Sequence, residues 1–109
     1  ELGAPVLLVA RAGLGTLNEA ALACEALRAR GLACVGVVVG AWPAVPDLAA
    51  RCNLEDLPAY ARAPLLGRLP SGAGGMDPTA FLAAARAGLA PALGGVAPVV
   101  DRSPTEVHA

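Results

Sequence analysis

The sequence predicts an α/β domain built on a parallel sheet. Two continuous apolar runs, residues 6–10 and 33–39, have strand length and no polar alternation, as strands buried on both faces do. One stretch of helical periodicity lies between them. Two buried strands joined by a single helix pair in parallel through a right-handed crossover. A length of 109 residues suits one small domain.

The first strand leads into the turn Gly13-Leu14-Gly15-Thr16-Leu17-Asn18. Thr16 and Glu19 have the spacing of a capping box, which predicts Thr16 as the N-cap of the helix that follows. Leu17, Ala20, Ala21, Cys24 and Leu27 recur at helical spacing and form its buried stripe. Glu25 and Arg28, three apart, are expected to pair on the wet face, and Gly31 ends the helix. The second strand, 33–39, stops at Gly40. Residues 41–46 form a proline-bearing loop around Trp42. Asp47 opens a short helical stretch to Arg51, and Asn53 caps another over 54–61, whose regularity Pro58 limits. Residues 64–69 read as a third, shorter strand near the sheet edge, followed by a flexible loop over 70–75. Asp77 and Pro78 supply the cap and first-turn proline of a helix running to about Ala90. Residues 94–109 carry prolines and no periodicity and are expected to be a disordered tail, with His108 inside it. The domain is therefore expected to span 1–93. Glu1-Leu2-Gly3-Ala4-Pro5 reads as a helix tail, a glycine stop and a proline before a strand. The chain is accordingly expected to be the C-terminal part of something longer.

Composition narrows the function. Eight basic and nine acidic residues give a net charge of −1, and every basic residue is arginine. There is no basic stripe and no set of stacking aromatics, so no nucleic acid partner is expected. No apolar run approaches the roughly 20 residues that span a membrane, and no signal-peptide pattern opens the chain; no membrane partner is expected. Cys24, Cys34 and Cys52 match no zinc or redox spacing. The first two fall at apolar positions and read as small buried hydrophobes, in keeping with a reducing cytoplasm. Asp47, Glu55, Asp56 and Asp77 read as helix-start acids favoured by the macrodipole. No nucleophile stands beside a base and no metal-ligand cluster occurs, so no catalytic residue is assigned.

Ligands of open parallel sheets bind beyond the carboxyl ends of the strands. Three loops gather there: 11–16, 40–46 and 70–75. A glycine turn between a strand and a helix aims backbone N–H groups at one spot, which suits an anion. The chain has no lysine, so the turn is not the Gly-x-x-x-x-Gly-Lys-Ser/Thr loop of nucleotide hydrolysis. A carboxylate fits better. The plainer alternative is an ordinary tight connection, in which the Thr16 hydroxyl takes one of the amides from Leu17 to Glu19. The small residues of 70–75 let a ligand lie against the backbone or make a mobile linker. Trp42 either stacks on a base or packs on the sheet edge.

The strand with Gly13-Leu14-Gly15-Thr16-Leu17-Asn18, the helix carrying Leu27-Arg28-Ala29-Arg30-Gly31-Leu32, and Val35-Gly36-Val37-Val38-Val39 together resemble dethiobiotin synthetase. The likeness continues through Asn53-Leu54, Pro64-Leu65-Leu66-Gly67-Arg68-Leu69-Pro70 and the last helix, over about residues 1–93, and is closest to actinobacterial members. It implies the C-terminal half of a P-loop NTPase fold, with the P-loop half absent from this chain. It also implies a cytoplasmic homodimer. Enzymes of that family join carbon dioxide to 7,8-diaminononanoate, phosphorylate the carbamate with ATP and Mg2+, and close a cyclic urea. By the resemblance, Gly15, Thr16, Leu17 and Asn18 hold the distal carboxylate of the substrate bound to the dimer partner. Gly40, Pro70, Ser71, Gly72 and Ala73 surround the nucleotide base. Gly40 stands where many members have asparagine, which implies backbone-only contact with the base and room for another triphosphate such as CTP. Glu19 stands where many have histidine. The phosphate loop, its lysine and the magnesium ligands lie upstream in the family, so the chain alone is expected to be inactive. A different class of function, a non-catalytic dimerisation or regulatory fragment of a partition-ATPase-like P-loop protein, predicts DNA or lipid binding. A functionless gene remnant predicts poor solubility.

Overall fold

The computed structural model describes residues 5–101. Strands β1 (Val6–Ala10), β2 (Cys34–Trp42) and β3 (Leu65–Pro70) form a parallel sheet in the order β1-β2-β3. Helices α1 (Thr16–Ala29) and α2 (Leu48–Ala61) make the two crossovers. Both crossovers step in the same direction across the sheet, so crossovers of one hand put both helices on one face. The expected α/β class with a parallel sheet holds.

Strand alternation sorts the core into two layers. Val37, Val39 and Leu65 point toward the helices and pack with Ala20, Ala50, Leu57 and Ala61. Val38 and Leu66 point the other way and pack with Ala90. Helix α3 (Pro78–Gly88) opens with the Asp77 carboxylate accepting from the Ala80 amide at 2.8 Å, and Pro78 follows the cap. Asp47 caps α2 in the same way through the Ala50 amide, also at 2.8 Å. The chain after α3 is tied to β3 by the Ala90 amide donating to the Leu66 carbonyl at 2.8 Å. Gly67 makes that approach possible. Its φ is +133°, and a methyl group there would overlap the Gly88 carbonyl oxygen.

Several local expectations change. Gly15, at φ 91°, is the N-cap of α1, and no side chain caps that helix. The helix begins one residue earlier than a Thr16 cap requires, so Thr16 joins the first turn. Glu19 turns away to Arg11 instead of closing a capping box. Arg28 directs Nη1 to the Cys24 sulfur at 2.8 Å rather than to Glu25. The two short helices after Asp47 are one continuous α2, and Asn53 lies inside it. Pro58 is accommodated within that helix, which closes at Arg62 with φ 55°. Strand β2 continues past Gly40 because Trp42 pairs with Pro70 of β3.

The expected tail is also partly paired. Val96 and Ala97 donate to the carbonyls of Arg86 and Leu89 at 2.8 and 2.9 Å. Val100 exchanges two backbone hydrogen bonds with Leu65, at 2.7 and 3.1 Å. Pro98 and the lack of any periodicity over 96–100 hid this antiparallel bridge. Residues 102–109, including His108, and residues 1–4 lie outside the described residues.

Candidate functional site

All three strands run in parallel, so the turn after β1, the end of β2 and the turn after β3 share one edge of the sheet. The turn after β1 is bound to itself through two backbone contacts. The Thr16 amide donates to the Gly13 carbonyl at 3.3 Å, and the Glu19 amide to the Gly15 carbonyl at 3.0 Å. The amides of Leu17 and Asn18 have no acceptor among the described residues. These are the open donors of a helix start, at the positive end of its dipole. Asn18 is exposed beside them. The Thr16 side chain is turned inward and only 1% exposed. It shapes the turn from beneath.

Arg11 flanks the turn. Its Nε and Nη2 reach the two Glu19 carboxylate oxygens at 3.2 and 2.7 Å. Both side chains are exposed, so the pair stabilises little by itself. The guanidinium lies beside Gly15, where a methyl group would come within 3.8 Å of Nη2. A cleft of about 260 Å³ runs between β1 and α1, lined by Val9, Arg11, Thr16 and Glu19 among others.

Asn53 was not among the residues the sequence singled out for the site. Its side-chain amide donates to the carbonyls of Ala12 at 3.0 Å and Gly13 at 2.9 Å, from 41 and 40 residues away. A contact of that span leaves no local pattern, and an asparagine after a loop reads first as a cap.

The second group lies at the ends of β2 and β3. The Ser71 amide donates to the Trp42 carbonyl at 2.8 Å and ties the Pro70–Ala73 corner to the end of β2. The Arg68 guanidinium sits 4.9 Å from the centre of the Trp42 ring, a cation–π contact. Trp42, Arg68, Pro70 and Ala84 help to line an open cleft of about 280 Å³. Ser71 and Gly72 are exposed at its corner, and Ala73 is buried. Gly40 lies two residues before Trp42, under Val9; a methyl group there would stand 2.8 Å from a Val9 methyl.

A triphosphate and Mg2+ do not fit these residues. The chain has no lysine, and no group of three or more His, Cys, Asp or Glu is placed to hold a metal among the described residues. No described helix is long and apolar enough to cross a membrane.

A family profile described as an AAA domain matches residues 1–79, a span that includes the glycine turn, Gly40 and the Pro70–Ala73 corner. The chain belongs to this AAA-domain family. Curated relatives bear the name ATP-dependent dethiobiotin synthetase. The protein of Saccharopolyspora erythraea is 70% identical over 94 residues, which are 86% of this chain and 42% of that protein. Those of Streptomyces coelicolor and Frankia casuarinae are 60% and 63% identical over the same 86% of the chain, 40% of each relative. The resemblance carried by the sequence motifs is thereby shown. The chain spans 40–42% of the length of these relatives.

Proposed function

We propose that this chain is a segment of a dethiobiotin synthetase, the ligase that forms the cyclic urea of dethiobiotin from 7,8-diaminononanoate, CO2 and ATP. The segment supplies two parts of the site. The turn Gly15-Thr16-Leu17-Asn18 receives the distal carboxylate of the diamino acid, across a homodimer interface. The corner of Gly40 and Pro70–Ala73 borders the nucleotide base. The triphosphate and Mg2+ are held by residues outside this chain, in keeping with its lack of lysine and with the absence of a metal-binding cluster among the described residues. The chain alone is inactive. The working protein is cytoplasmic and uses neither nucleic acid nor membrane as partner.

The observation that carries this reading is the pair of open amides at Leu17 and Asn18, beside the exposed Asn18 side chain at the carboxyl end of β1. A carboxylate accepting from such donors forms short, charge-assisted hydrogen bonds, favoured by the helix dipole. The high identity to proteins named dethiobiotin synthetase says which carboxylate to test first.

In the full-length protein, Asn18→Ala is expected to raise KM for the diamino acid about tenfold, the size of one charge-assisted hydrogen bond. KM for ATP and kcat should stay within about twofold. Steady-state kinetics with the diamino acid varied at saturating ATP reads this directly. An unchanged KM for the diamino acid would overturn the carboxylate assignment.

A further inference from the structure

We infer that Asn53 is a positioning residue for the glycine turn: its side-chain amide, reaching over from α2, sets which way the Leu17 and Asn18 amides face. The inference rests on the carboxylate reading of the turn and goes beyond it.

Asn53 is only 8% exposed, in the middle of α2. One nitrogen serves both the Ala12 and the Gly13 carbonyls, at 3.0 and 2.9 Å. Those carbonyls lie at the entry to the turn. Gly13 is also the residue whose carbonyl takes the Thr16 amide at 3.3 Å. The carbonyls of Ala12 and Gly13 are thus drawn toward the protein interior. The Gly13 carbonyl holds the Asn53 side chain and the Thr16 amide together, so Asn53 anchors the peptide on which the first turn of α1 closes. Gly15, at φ 91°, is held by the Glu19 amide on its carbonyl, and no side-chain cap is present. Asn53 does not cap the helix; it donates to the two carbonyls that lead into it. It satisfies acceptors on the inner side and leaves the donors of Leu17 and Asn18 on the outer side.

Chemistry dictates asparagine there. Aspartate would set a carboxylate against two carbonyl oxygens. Leucine would leave the buried Ala12 carbonyl without this donor and the Gly13 carbonyl with the Thr16 amide alone, which is costly. A residue that only fills space would affect stability and nothing else. A positioning residue must move ligand affinity as well.

The test is kinetic and uses the full-length protein. Asn53→Asp is expected to raise KM for the diamino acid about tenfold, with KM for ATP and kcat within about twofold. Asn53→Ser keeps one donor and should raise it about threefold; it decides the matter if Asn53→Asp does not fold. Leu57→Ala, one turn along the same helix and fully buried, is the control for lost stability: Tm falls and KM does not move. KM unchanged in the Asn53 variants, or raised equally in Leu57→Ala, overturns the inference. Asn18→Ala in the same assay separates the two proposals. If it raises KM and the Asn53 variants do not, the positioning role alone fails. If it leaves KM unchanged, the carboxylate reading fails first.

Discussion

Single residues in this chain do their work mainly through backbone. Gly67 is the sharpest case. Its φ of +133° and its contact with the Gly88 carbonyl leave no place for a side chain. Gly67→Ala is expected to destabilise the protein by about 3 kcal/mol, from strained backbone and forced separation of β3 from the end of α3. Urea denaturation measures this, and Gly72→Ala makes a useful comparison, since its φ of +83° is strained but nothing lies within 4 Å. At this scale the sequence was only partly legible. Asp77 is legible as a cap, and Asp47 as the acid that opens a helix, because a cap contact spans three residues. Thr16 and Glu19 were misread for the same reason: the spacing was right, but Arg11 competes for Glu19 and Gly15 takes the cap position. Asn53 was invisible as a clamp because its partners lie 40 residues away.

At the scale of elements the order of strands and helices was legible throughout. Apolar runs of strand length and the glycines and prolines between them marked β1, α1, β2, β3 and α3. Two boundaries failed: the end of β2, which runs past Gly40 to Trp42, and the interior of α2, where a buried asparagine and a proline looked like a break. Tertiary packing overrides the asparagine and the proline, since Leu57, Pro58 and Ala61 are all held in the core. The α3 cap is a cleaner test of local reasoning. α3 has no buried residue, so its cap matters more than its packing. Asp77→Ala is expected to cost about 1 kcal/mol, lowering Tm by several degrees, with Asp77→Asn restoring most of it. Thermal melts followed by circular dichroism check both.

At the scale of the whole molecule, the sheet is covered unevenly. α1 and α2 shield one face, while on the other face Val9, beside Val38 in the register, is 65% exposed, and Leu7 is exposed as well. A strand that reads as buried on both faces is thus open on one. The chain spans only 40–42% of its curated relatives, and an apolar strand face of this kind suits further protein packed against it. The parallel topology and the edge where the three loops gather were legible in the sequence, because strand polarity alone decides where the loops gather. The side chains that organise the turn were not. The central claim is that this segment works inside a dethiobiotin synthetase. Its most direct test supplies 7,8-diaminononanoate, ATP, Mg2+ and isotopically labelled bicarbonate to the native full-length protein and, separately, to this chain alone. Labelled dethiobiotin from the full-length protein and none from the chain alone is the expected result. No labelled dethiobiotin from the full-length protein would contradict the claim.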